Sequence, residues 1–339
     1  MTTNSGNIAV LSATARGTGP DDGMGDADVI LRSTSGAITL GAARSNDEII
    51  LKSGGNIAAS NLTTTGLGLD PAANRSNIII DSGAAVSIDT INAQTSLAVR
   101  GTSVTGTNLI AGEDIALLAS GNISVAAALS ADDFSAASSS GNITLTGIAT
   151  NAAGADDRTA NFGYGEIGFL ATSANGSRID ASTGYGNISL DMLNSAGATA
   201  LMAGGSGPGG ASTAGGLLSV MADSVDVDSL TSSGSSVVAS ARSIDIGTVS
   251  AAVDALIDTK GLANSSITLG TVTAGRDIGL TGGTNGIAAT SLSAGDDIDV
   301  VGSGTLHITS ALTDGSFNSG YGGDPSDILV LPLEPKGEP

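Results

Sequence analysis

The stretch "TAGRDIGLTGG" at residues 273–283 is followed, twenty residues on, by "SAGDDIDVVGS" at 293–303. Each copy runs from a polar turn into a short segment in which apolar and polar residues alternate, as in "DIDV". Alternation sends successive side chains to opposite faces, so these segments read as strands with one buried face. Repetition at a fixed interval also overrides the domain count suggested by chain length.

The interval recurs on either side of this stretch. Val272, Leu292 and Leu312 form one ladder, and Ile267 with Ile287 and Ile278 with Ile298 form two more. In mid-chain "GNISV" (121–125) returns as "GNITL" (141–145). Earlier, "IILKSGGNIAASNL" (49–62) matches "IIIDSGAAVSIDTI" (78–91) at a displacement of 29, and the longer step contains "GLGLDPAANRS", which reads as an added loop. Gly with Asn, Asp or Ser between the strands supplies permissive turn backbone. The same Gly, Ser and Thr content disfavours helix.

A unit of about twenty residues cannot close a core alone, so equivalent strands of successive units must pair and bury one continuous column. Like strands entering in the same phase pair in parallel and in register. The sequence therefore predicts an all-β chain: a single parallel β-helix, or β-solenoid, with coils of about twenty residues. It spans 1–331, with loop insertions near 16–28, 66–75, 150–165 and 203–216. Residues 332–339, with Pro332, Pro335 and Pro339, cannot continue a central strand and read as a tail or linker. A propeller or a hexapeptide helix would need periods that do not appear.

Composition narrows the function classes. The chain has 339 residues, 50 Gly, no Cys, no Trp and only 13% charged residues, against about 25% in ordinary globular domains. A formal net charge of -21 repels phosphate backbones and anionic lipid, so neither nucleic acid nor a membrane surface is an expected partner. No uninterrupted apolar run is long enough to span a bilayer. The start "MTTNSGNIAV" lacks the basic and apolar regions of a secretory signal, which leaves either an intracellular protein or an excerpt of a longer exported chain.

The units "AGEDIALLASGNISV" (111–125), "AGRDIGLTGG" (274–283) and "AGDDIDVVGSG" (294–304) resemble the repeats of the filamentous haemagglutinin family of bacterial surface exoproteins, over most of the chain. The resemblance implies a right-handed parallel β-helix, exported by two-partner secretion and serving as an adhesin shaft or a toxin stalk. This chain departs from the family in showing no export domain, membrane barrel or toxin segment. The resemblance transfers no binding residue.

The interruptions are the candidate sites, since insertions in solenoids protrude and often bind; as tolerated surface slack they would do nothing. Phe162 and Tyr164 near "GYGEIGF" (163–169) and Tyr185 in "GYGNISL" (184–190) would lie on adjacent coils. An exposed aromatic row suits the C–H faces of sugar rings, whereas tyrosines capping the core edge would be structural. Asp21, Asp22, Asp26 and Asp28 in "PDDGMGDAD" offer the oxygen ligands calcium takes, without EF-hand spacing; the plainer reading is a solvated acidic loop.

Other features read as structural. Asn7, Asn56, Asn122, Asn142 and Asn187 each follow Gly and precede Ile, so stacked at one corner they would form a ladder bonding coil to coil. The single histidine, His307, lies between Leu306 and Ile308 and faces outward, with no triad around it. Gly205, Gly207 and Gly210 form a G-x-G-x-x-G with no βαβ context. Outward acids Asp226, Asp228, Asp245, Asp297 and Asp299 could pair as in polysaccharide-cleaving β-helices, but repetition makes surface charge the simpler account.

The expectation is a non-enzymatic, monomeric rod: a shaft or adhesive segment of a bacterial cell-surface or secreted adhesin, flanked by further repeats and meeting host or matrix glycans. It needs no cofactor, calcium being the one ion its acids could take. The alternatives are a polysaccharide-acting β-helix enzyme and a calcium-dependent self-associating surface protein.

Overall fold

The computed structural model describes the chain apart from residues 18–27, 67–76, 152–178, 184–186, 196–198, 204, 208, 260–261, 283–284, 322–327 and 331–339. Every regular element among the described residues is a β-strand. The chain divides into two compact units, Met1–Thr183 and Gly184–Pro339. Within both, each strand pairs in parallel with the strand two places along the sequence, so equivalent strands of successive coils stack. The architecture is a parallel β-solenoid, as the repeat predicts.

One coil shows the plan. A short strand, Ile49–Ser53, leads through Gly54, Gly55 and Asn56 into a long strand, Ile57–Thr64. Short strands, mostly of four or five residues, build one sheet and long strands, mostly of eight or nine, build the other. Register follows the apolar ladders: Ile278 pairs with Ile298 and Ile267 with Ile287. Ile49 pairs with Ile78, so the displacement of 29 leaves the register intact. One ladder is corrected. Leu292 pairs with Ala311, and Leu312 pairs instead with Ser293. That coil is one residue shorter, and buried Ala311 fills the column while Leu312 is half-exposed.

The long strands bend midway. Pairing runs through Leu40 and Ala59, skips Gly41 and Ser60, and resumes at Ala42 and Asn61. At the skipped place two consecutive residues, Ser60 and Asn61, are exposed, so the inside-outside alternation slips by one. The slip is what a strand turning a corner requires. A Cβ on Gly270, at this corner, would come within 2.1 Å of the Gly247 carbonyl oxygen, so the coil above leaves no room for a side chain.

The column is filled by stacked aliphatic residues: Ile49, Ile78, Leu97 and Ile115 from the short strands, and Ile57, Val86, Val104, Ile123 and Ile143 from the long ones. Burying each contributes roughly 1.5–3 kcal/mol. Because every such contact reaches into a neighbouring coil, stability accumulates only by stacking.

Candidate functional site

The acidic turns before the short strands are built into the scaffold. In the second unit the Asp277 amide donates to Asp254 Oδ1 at 3.4 Å, the Asp297 amide to Asp277 Oδ1 at 3.2 Å, and the Ser316 amide to Asp297 Oδ1 at 2.7 Å. The first unit does the same with Glu48 donating to Asp28 Oδ1 at 3.0 Å and Asp133 to Asp114 Oδ1 at 3.1 Å. Each acid thus accepts the backbone N–H of its counterpart one coil on, which would otherwise lack a partner at the turn. The Arg276 guanidinium, bonded at 2.8 and 2.6 Å, holds the Asp254 carboxyl below its ordinary range. The Ser316 amide and then its hydroxyl do the same for Asp297.

The turns between short and long strands carry two further sets of coil-to-coil bonds. Amide oxygens of Asn7, Asn56, Asn122 and Asn187 accept the backbone N–H groups of Ala37, Ala85, Asn142 and Ser206 at 2.8–3.1 Å. The asparagines thus bond coil to coil, side chain to backbone, but not as one continuous ladder: Ala37 stands between Asn7 and Asn56, and Ala85 and Ser103 stand between Asn56 and Asn122. Beside them, buried serines end the short strands. Ser82 Oγ donates to the Gly55 carbonyl and accepts the Ala84 amide, and Ser138 Oγ treats Gly121 and Gly141 likewise. Ser33 and Ser53 complete the row. Sequence reading passed over these serines, although a serine followed by glycine within three residues marks each of them.

The predicted aromatic patch, Phe162, Tyr164 and Tyr185, lies outside the described residues, as do Asp21, Asp22 and Asp26. Asp28 serves the turn ladder. His307 is exposed between buried Leu306 and Ile308, as expected. Asp226 and Asp245 stand beside one another on the same exposed face of neighbouring strands rather than across a groove. Asp299 accepts a bond from Asn318 Nδ2 at 3.0 Å. Asp277, Asp296 and Asp297 bring one carboxylate oxygen each within 4.8 Å of one another. Two of those carboxylates are already engaged by coil-to-coil amides, and Arg276 Nε lies 3.2 Å from Asp277 Oδ2.

A different cluster stands out for its sign. On the outward side of the short strands of the first unit, Arg32, Lys52, Asp81 and Arg100 occupy equivalent places on four successive coils. Arg100 grips Asp81 with a two-pronged contact, Nε to Oδ1 and Nη2 to Oδ2, both at 2.8 Å, and Lys52 Nζ lies 3.7 Å from Oδ2. The Asp81 side chain is nearly buried, while Lys52 and Arg100 are each 44% exposed. Hydrogen bonding to Asp81 raises the Arg100 pKa further above its usual value. The row lines an open cavity of about 510 Å³ together with Thr2, Thr34, Gly54 and Gly83. Three basic residues and one acidic residue thus share the row.

The cluster was legible as one charged residue near the end of "ILRS", "ILKS", "IIDS" and "AVRG". Members 19 to 29 residues apart escape any scan for charge runs. Comparison with family models, with curated proteins and with solved structures finds no match.

Proposed function

We propose that this chain is a shaft segment of a bacterial cell-surface or secreted adhesin of the filamentous haemagglutinin type, acting by structure rather than catalysis. The observation that carries this reading is the use made of the polar residues. At the turns, acids, asparagines and serines are spent, coil after coil, on backbone groups of the neighbouring coil. A fold whose hydrogen-bonding groups repeat in this way is suited to bearing and spacing. Among the described residues, no helix is long and apolar enough to cross a membrane. In this reading the chain continues into flanking repeats, lies outside the cell and meets host or matrix glycans.

Two measurements test it. Antibody raised against the chain should label intact, unpermeabilised cells of the producing organism or detect it in the culture fluid; signal only after lysis would contradict the location. Incubation with acidic and neutral polysaccharides should leave their length distribution unchanged, and any shortening would make the chain an enzyme.

A further inference from the structure

We infer that the second unit carries an ice-binding face: the hydroxyl groups of Thr248, Thr271 and Ser291, beside those of Ser250, Thr273 and Ser293, form a net that matches the oxygen positions on a prism plane of ice. The inference goes beyond the shaft reading, and neither depends on the other.

The register builds the array. Thr248 pairs with Thr271 and Thr271 with Ser291, while Ser250 pairs with Thr273 and Thr273 with Ser293, so two parallel columns of hydroxyls run along the stack. Ser229 and Thr231 extend both columns by one coil. Between the columns Leu230, Val249, Val272 and Leu292 point inward and are fully buried, which fixes the backbone beneath the array. Neighbouring hydroxyls are therefore about 4.8 Å apart along the stack and about 6.6 Å apart along the strand. A prism plane of hexagonal ice repeats on a rectangular net whose short and long sides are of similar size.

The fold does not require hydroxyls there. At equivalent places of the first unit stand Arg44, Asn61, Asn92, Ile110 and Leu129. Nor are these hydroxyls spent on the scaffold. Unlike those of Ser82 and Ser138, none of them bonds to another group among the described residues. Thr248, Thr271 and Thr273 are exposed, and Ser250, Ser291 and Ser293 are half-buried. On a chain with 33 acidic residues, neither column holds a charge from Ser229 to Ser293. A charged group orients water radially about itself, whereas threonine presents a hydroxyl that joins a water network and a methyl that such a network can enclose. A protein partner would want Trp, Tyr or Arg anchors and a sugar chain an aromatic platform, and these columns hold neither.

The test is ice affinity. The fluorescently labelled full chain, in solution around a slowly growing single crystal of ice, should be taken up on the prism planes, while labelled serum albumin should be excluded. Thr248→Tyr and Thr271→Tyr, each at an exposed place where tyrosine is a good strand former, should abolish uptake, because a ring standing above the array keeps ice from the other hydroxyls. Thr268→Tyr, on the same strand as Thr271 but across its bend, should be taken up like the native chain. Exclusion of the native chain, uptake without preference for prism planes, uptake unchanged in both array variants, or loss in Thr268→Tyr as well would overturn the face.

Discussion

The two units share one coil plan and differ in what their short strands do with their outer face. In the first unit the outward residues Ile50, Ile79, Ala98 and Ala116 are buried, so these strands are covered on both sides. In the second the same place is held by Ser219, Val238, Leu256, Gly279 and Asp299, with Leu256 43% exposed. Met202 and Met221, stacked in the neighbouring outward row, are exposed as well. The inner column is imposed on every coil by the repeat, whereas the outer face is decided strand by strand. Continuous apolar runs such as "III" at 78–80 are the mark of a strand buried on both sides.

The largest expected effect breaks this contrast if it is wrong. Ile79→Asp should destabilise the first unit by more than about 3 kcal/mol, because a charge enters a covered site without a partner. Leu256→Asp, at the equivalent place, should change stability by no more than about 0.5 kcal/mol, as the native Asp299 two coils on suggests. Equal losses in urea unfolding would show that the outer faces do not differ.

A smaller effect sharpens the comparison at the turns. Ser82→Ala should cost about 1–3 kcal/mol, since the buried hydroxyl both donates to Gly55 and accepts from Ala84. The fifth place of the short strand is Gly101 and Ala119 in the same unit and Ala203 and Gly302 in the second, so those coils have no such bond to lose. A melt of Ser82→Ala that matches the native protein would mean the hydroxyl row is incidental.

The smallest effect is one of pH and falls on the second unit. Asp254 and Asp297 have lowered folded-state pKa values, so their stabilisation is fully present above the ordinary carboxylate range near 4 and is lost as pH falls through the folded values. Melting temperature should therefore fall on acidification below about pH 4, and less steeply in Asp254→Asn, whose side chain can still accept a bond. An identical acid profile for the variant would remove this carboxylate from the account.

Most of the architecture could be read from spacing, because a column residue and its counterpart must be the same kind of residue in the same phase. Ile49 and Ile78 were matched correctly across nine extra residues for that reason. Leu312 was misplaced because spacing alone cannot detect a coil one residue shorter, and alanine in the column gives no apolar peak. The site was harder. The cationic row has members on separate coils, and it is visible only after the register is known. The aspartates were read as surface charge, yet at the turns they are acceptors for the coil above, a role set by backbone geometry that no charge count reveals.

The unbroken register between Ile49 and Ile78 also bears on how such a chain changes over generations. Additional residues are accommodated at a turn while the columns keep their phase, so the unit of inheritance is the whole coil. Duplication or excision of nineteen or twenty residues joins one equivalent strand to another and leaves a working stack. Loss of a single residue within a strand reverses every side chain beyond it until the next turn. For this protein the gentlest deletion is a long one.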